Sequence, residues 1–520
     1  MPERLLNSWL LVNAGQPAFT ASGITCSRLQ LHAAAQSATS ILSRLGLARG
    51  DALALWLPDG ALWLQMAFAA AQMGVLVIPV STRYRASEVK HLLEVSKAAV
   101  IVTVDKFLGV EYGRIARELK AELPSLRQVL SVSNANAFLN RSIERPDESR
   151  SDSTAADRTA ILTDACFAFS TSGTTGFPKL AVHDQGSVEQ HARFSAKAFD
   201  IRAGDTLLCA LPFYGVYGLI STLAALAAGA HCVLLPVFEA QAAADAIAQH
   251  RITHLFGSDA SFSLIFDVPD ANLASLRVGG LADFVGLSAR VVTRAEEQFG
   301  ITLCGLYGSS ECFALTAMRP IDQPIALRSL PGGTPISDQI EFRIVDPADG
   351  RPLADGEPGE LQLRGYCVLS SYLNNPSATQ RALTHDGWFR SGDLCERQGG
   401  SFRYRSRLND SLRLRGYLVD PSEIEACLMS CAGVQGVQVV GVHRQGEGDI
   451  AIAFVIRQRH IQGYALDEAS VIDYCRSSIA AYKAPKFVVF VDEFPTVNGP
   501  NGSKIQKTQL RERANILFRN

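Results

Sequence analysis

Charge of one sign is never in real excess in this chain of 520 residues: 49 Lys and Arg face 51 Asp and Glu, for a net charge of −2. With a pI near 6.6, it carries no electrostatic footprint for nucleic acid or for an anionic membrane surface. Metal-ligand spacing is missing as well. The 11 cysteines are odd in number and scattered. Cys427 and Cys431 stand close together, but no second pair or neighbouring His completes a zinc set, so reduced thiols in a cytoplasmic protein are expected. The opening residues, Met-Pro-Glu-Arg-Leu-Leu, lack a basic segment leading into an apolar one, which predicts no secretory leader. No repeat of fixed period stands out. The one long uncharged run, 219–237, is interrupted by Gly229 and His231 and closed by Pro236. It reads as a buried helix over 219–228, a glycine stop and a buried strand over 231–235, rather than a membrane span.

Hydrophobic residues make up 47% of the chain and charged residues 19%, so a sizeable core can be buried. The length predicts a large core plus a smaller unit. Helical apolar spacing over 27–47, 61–73 and 88–96 alternates with short apolar runs over 51–57, 75–80 and 98–103. Strands apolar throughout and separated by helices predict an α/β fold, its parallel sheet covered on both faces. The alternation resumes through 187–200, 206–211, 217–235 and 240–257, whereas 141–160 is a polar, charged linker with little to bury. From about Gly332, strand-like runs at 340–346 and 359–364 are broken by Pro-Ala-Asp-Gly and Asp-Gly-Glu-Pro-Gly turns, the texture of a small β subdomain. After Leu408-Asn409-Asp410 comes a last α+β unit of about 110 residues, joined through a short polar hinge. It should hold helices near 421 and over 468–480, and strands over 437–443, 450–456 and 487–491. The expected domains are 1–408 and 409–520.

The most informative stretch is Ser170-Thr171-Ser172-Gly173-Thr174-Thr175-Gly176-Phe177-Pro178-Lys179. Gly173 and Gly176 let the backbone approach a ligand, hydroxyls and amides supply donors, and Lys179 adds a point charge, a combination suited to polyphosphate. A Walker A loop is excluded, because no Gly-Lys-Ser/Thr ending is present. Tyr307-Gly308-Ser309-Ser310-Glu311 follows an apolar strand and offers an aromatic ring, a close-approach glycine, a hydroxyl and a carboxylate. Ser391-Gly392-Asp393 places a carboxylate after a tight turn, Arg407 precedes the hinge, and Lys504 sits on a glycine-containing loop near the chain's end.

Together and in this order, these motifs resemble the adenylate-forming superfamily over nearly the whole chain. Tyr482-Lys483-Ala484-Pro485-Lys486 is more similar to its acyl- and aryl-CoA synthetase branch than to peptide-synthetase domains. The resemblance implies a large core carrying ATP and acid sites, hinged to a mobile C-terminal domain. Thr171, Ser172, Gly173, Thr174, Thr175, Gly176 and Lys179 would then hold the ATP phosphates. Tyr307 and Gly308 would receive adenine, Ser310 the α-phosphate and Glu311 Mg²⁺. Asp393 and Arg407 would bind the ribose, and Lys504 would bridge the substrate carboxylate and the nucleotide. Gly416 would line the pantetheine tunnel and Asn409 would be the hinge.

Phe213, Tyr214, Gly215, Phe256 and Gly257 fall where the family builds its acid pocket, and imply an apolar acid, a medium-chain fatty acid first. The sequence departs from the family at Ser310 (usually Thr), Asn409 (usually Asp or Lys), Arg413 (often Lys), Gly215 (usually His) and around Gly279–Asp283. The implied activity is ATP-dependent acid–CoA ligation. Two alternatives are a ligase that loads a carrier protein and a nonenzymatic nucleotide-binding relative. Ser258 or Asp259 is expected to cap the helix that follows.

Overall fold

Glycine stops and apolar runs set the local structure. Helix Ala61–Met73 has 12 buried residues out of 13 and ends at Gly74, whose φ of 65° only glycine adopts without strain. Helix Arg28–Arg44 opens on a capping box in which Ser27 and Gln30 satisfy each other's backbone N–H groups. The uncharged run folds as helix Val216–Ala228, a stop at Gly229 and strand His231–Leu234. Among the described residues, no helix is long and apolar enough to cross a membrane. All the cysteines are free thiols, and all except Cys427 are buried.

The computed structural model describes residues 6–133, 160–171, 178–284, 287–347, 349–408, 412–415, 417–419, 421–458, 466–499, 502–505 and 507–518. The expected linker lies outside them except for Ala160. A seven-stranded sheet carries the parallel strands Ala165–Thr171, Leu76–Pro79, Ala52–Trp56, Val100–Val104 and Gln128–Val132. Two antiparallel strands, Lys179–Asp184 and Ser371–Tyr372, extend one edge.

A thirteen-stranded sheet joins six parallel strands, among them His254–Ser258, Val278–Ala282 and Thr302–Tyr307, to antiparallel ones. The β texture after Gly332 therefore continues the large sheet, through Ala317–Met318 and Gly332–Pro335 to Ser401–Arg407, Phe389–Gln398, Pro358–Gly365 and Ile340–Val345. Both sheets are mixed, where the sequence predicted a parallel one. Helices Arg28–Arg44, Ala61–Met73, Gln185–Ala198 and Val216–Ala228 share one hydrophobic core with both.

The last unit is α+β. Gly448–Arg457 is the centre of a five-stranded sheet, and Val434–Arg444 pairs with it as the strand at one edge. Helices Pro421–Met429 and Glu468–Ser478 contribute to one core cluster on it, and helix Lys507–Phe518 contributes Leu510 and Ala514 to another.

Candidate active site

The phosphate-loop motif joins two antiparallel strands. Thr171 ends one and Lys179, its cross-strand partner, begins the next; residues 172–177 between them lie outside the described residues. Thr171 is buried, and its Oγ1 has no hydrogen-bond partner among the described residues. Lys179 Nζ stands 4.2 Å from the ring centroid of Tyr372.

The second motif leaves strand Thr302–Tyr307 and turns sharply. A Cβ on Gly308 would sit 2.5 Å from Ala314 Cα, so no other residue fits here without moving the backbone. Ser309 Oγ accepts Glu311 N–H at 3.2 Å and starts a short 3₁₀ turn, Ser310–Cys312. Phe313, Ala314 and Leu315 follow with φ of 60°, 50° and 38°, three consecutive left-handed residues, which is a strained arrangement.

Two histidines from neighbouring elements hold this turn. His183 Nε2 lies 2.7 Å from Ser310 O and His191 Nε2 lies 2.8 Å from Ala314 O, and both rings pack on Phe313. A carbonyl only accepts, so each of these nitrogens carries its proton and donates. Burial lowers both pKa values to about 4, which leaves the rings neutral at pH 7. Glu311 is pinned twice: its carbonyl accepts Leu369 N–H at 2.7 Å and its Oε1 accepts the Tyr372 hydroxyl at 3.0 Å. Ser310 Oγ reaches Ser170 O at 3.4 Å, which links the two motifs.

Asp393 joins them from strand Phe389–Gln398. Its Oδ2 accepts the Tyr307 hydroxyl at 2.6 Å, and the Tyr307 ring meets Phe402 edge-on at 5.1 Å. Burial, and then the charge of Asp393, raises the Tyr307 pKa well above the usual phenol range, so Tyr307 stays a donor. Asp393 N–H donates to Ser391 Oγ at 3.1 Å, and the backbone of Asp393 stands directly across from that of Arg407.

The acid-pocket residues divide. Phe213 and Phe256 are core aromatics, the first packed on Trp63 at 5.2 Å and the second on Phe199 at 4.7 Å. Tyr214 is half-buried, and a Cβ on Gly215 would come no closer than 3.4 Å to Pro212 O, which leaves room for a side chain. At Gly257 a Cβ would meet Ser261 Oγ at 2.6 Å. Ser258 caps helix Asp259–Phe266 as expected, but Asp259 has a different task. Fully buried, it accepts backbone N–H groups from Ala260, Phe284 and Leu287, tying down the segment after strand Val278–Ala282.

Lys504 lies in strand Gly502–Ile505, paired with Val497. Asn409 and Gly416 lie outside the described residues. Sequence reasoning missed Tyr372, His183 and His191, whose partners are far away along the chain.

This donor set fits a nucleotide with a hard cation. Thr171, whose buried hydroxyl has no partner among the described residues, and Lys179 stand opposite each other at the same hairpin end. Among the described residues, no group of three or more His, Cys, Asp or Glu could hold a metal. A cation at Glu311 would therefore take its other ligands from phosphate and water, the usual manner of Mg²⁺.

The AMP-binding enzyme family profile matches residues 8–373, and the AMP-binding enzyme C-terminal domain matches 423–499. A methyl-dioxo-octahydroindenyl-propanoyl:CoA ligase of Mycobacterium tuberculosis is 33% identical over 93% of each chain. An indoleacetate–CoA ligase of Aromatoleum aromaticum is 30% identical over 98% of each. The fold is similar to that of o-succinylbenzoate CoA synthetase from Bacillus subtilis, with a TM-score of 0.82 at 21% identity over 97% of this chain and 98% of that one. The chain belongs to the AMP-binding enzyme family, in the acyl- and aryl-CoA ligase branch of the adenylate-forming enzymes.

Proposed function

We propose that this ATP-dependent acid–thiol ligase joins an apolar carboxylic acid, a medium-chain fatty acid first, to the thiol of coenzyme A. An oxygen of the acid's carboxylate bonds to the α-phosphorus of ATP as the bond to pyrophosphate breaks. The CoA sulfur then bonds to the acyl carbon, AMP leaves with the carboxyl oxygen, and the thiol proton is released. One observation carries the reading. Lys179, Glu311, Tyr307 and Asp393 come from separate elements into one linked site, through Tyr372 on one side and the Tyr307–Asp393 hydrogen bond on the other.

The hairpin from Thr171 to Lys179, with Ser172, Gly173, Thr174, Thr175 and Gly176, holds the β- and γ-phosphates. Ser310 meets the α-phosphate, Tyr307 and Gly308 receive adenine, and Asp393 and Arg407 hold the ribose. Glu311 would hold Mg²⁺, which neutralises phosphate charge when bound. Lys504 sets a cation between two anionic reactants, where charge builds in the transition state. We place the domain boundary at residue 408, with Asn409 as hinge and Gly416 lining the thiol's path once the C-terminal domain has turned. Tyr214, Gly215 and Gly257 line the acid site, backed by Phe213 and Phe256. Loss of the side chain at Gly215 favours an extended acid.

The test is product formation with ATP and Mg²⁺ over fatty acids of graded length, arylacetic and aromatic acids, and amino acids. Each is offered CoA or a phosphopantetheinylated carrier protein. The reading expects CoA thioesters with a maximum among medium-chain fatty acids. Thioester on the carrier protein alone would change the acceptor, a maximum among ring-bearing acids would change the substrate, and no acid-dependent AMP would leave a nucleotide-binding protein without chemistry.

A further inference from the structure

Tyr372 lies in none of the motifs singled out from the sequence, yet two charged groups of the site meet on it. It lies on strand Ser371–Tyr372, opposite Ala181, and its backbone N–H donates to Thr379 Oγ1 at 2.9 Å. Just before it, Ser370 N–H donates to Val182 O at 2.9 Å. The strand pairing and the Ser370 bond tie Tyr372 to the strand that begins with Lys179, and the Thr379 bond ties it to helix Pro376–Ala382. The side chain is buried, with its hydroxyl on Glu311 Oε1 at 3.0 Å and its ring face 4.2 Å from Lys179 Nζ.

A phenol presents different chemistry to each neighbour: an O–H donor for a carboxylate and an electron-rich face for an ammonium. Glu311 and Lys179 carry opposite charges, and with nothing between them they would attract each other into a direct pair. Such a pair would occupy the carboxylate and the ammonium that a cation and a phosphate need. We propose that Tyr372 is a positioning residue that holds Glu311 and Lys179 apart and oriented, so that metal and phosphate are received on separate groups. This rests on the reading of Glu311 as the metal carboxylate and Lys179 as the phosphate lysine.

Calorimetric titration of the full-length protein with ATP, without acid substrate, tests it first in EDTA and then with Mg²⁺. Tyr372→Phe keeps the ring face and removes the hydroxyl. Its metal-free ATP affinity should stay within about twofold of wild type, while the affinity gained on adding Mg²⁺ should fall about tenfold. Tyr372→Leu removes both contacts, and its metal-free affinity should fall as well. Glu311→Gln is the control and should abolish the metal gain. If it does so while Tyr372→Phe keeps the full gain, the proposal is overturned and the metal assignment stands. A metal gain unchanged in Glu311→Gln overturns both. Equal losses with and without metal in Tyr372→Phe would make Tyr372 a structural residue only, which also overturns the proposal.

Discussion

A carboxylate and a polyphosphate repel each other at every separation that matters for bond formation, and in the proposed reading Lys504 is the side chain that would offset that. Lys504→Ala should slow acyl-adenylate formation by about two to three orders of magnitude while ATP binding persists. Rapid-quench measurement of the adenylate with saturating acid and ATP checks this. Lys507, the other cation nearby, already pairs with Glu425 at 2.7 Å, so Lys507→Ala should change the rate far less. Asp259→Asn puts an amide where three backbone N–H donors converge, and at least one donor loses its acceptor. It should destabilise the protein by about 1–3 kcal/mol in chemical denaturation and leave the order of preferred acids unchanged. A switch in that order would mean that Asp259 touches substrate.

The motif residues were legible because their chemistry is local, a glycine, hydroxyls and a lysine within one loop. Tyr372 and His183 were not. Their hydrogen bonds to Glu311 and Ser310 span 61 and 127 residues, and no short stretch records such a contact.

The turn after Gly308 is held by two histidines whose burial opposes their protonation. Their folded pKa of about 4 lies below the ordinary imidazole value, so between about pH 6.5 and 4 the unfolded chain binds more protons than the folded one. Stability therefore rises with pH through that window and is lost as pH falls through it, by on the order of 2–3 kcal/mol per histidine. Melting temperatures at pH 7, 5.5 and 4.5 should drop steeply for wild type and less steeply for His191→Gln, which has no imidazole to protonate. Equal slopes would remove His191 from the turn's support.

Most helices and strands could be read from periodicity and glycine stops. Strand direction could not, because an apolar run is equally apolar in either sense. The hairpin at the phosphate loop and the pair Phe389–Gln398 with Ser401–Arg407 are set by short connections, where parallel neighbours need a crossover. The same limit hid the union of the β subdomain with the large sheet.

At the scale of the molecule, the C-terminal unit meets the core through a buried cation. Lys483 Nζ lies 2.7 Å from Glu423 in its own unit and 3.0 Å from Glu88 in the core, with the lysine side chain 5% exposed. Burial alone would lower its pKa, but its neighbours, the two carboxylates among them, reverse this and raise it well above normal. Ser87 Oγ donates to Ser478 O beside it, and the Tyr84 ring lies 5.0 Å from the ammonium. Removing the cation strands two acids, so Lys483→Met should destabilise the protein by about 3–5 kcal/mol. Glu88→Gln spares the pair inside the C-terminal unit and should mainly loosen its docking. Limited proteolysis should then cut faster between the two units while each fragment resists as before. Unchanged cleavage would mean that this contact does not hold the units together. Lys483 and Glu88 stand 395 residues apart along the chain, and no short stretch records such a contact.

The acyl-adenylate itself is tested most directly by exchange of labelled pyrophosphate into ATP, with acid present and CoA omitted. Exchange that appears only with the acid, and gives way to equal amounts of AMP and thioester once CoA is added, is the predicted result. Exchange absent with every acid, or ADP and phosphate as the products, would contradict it.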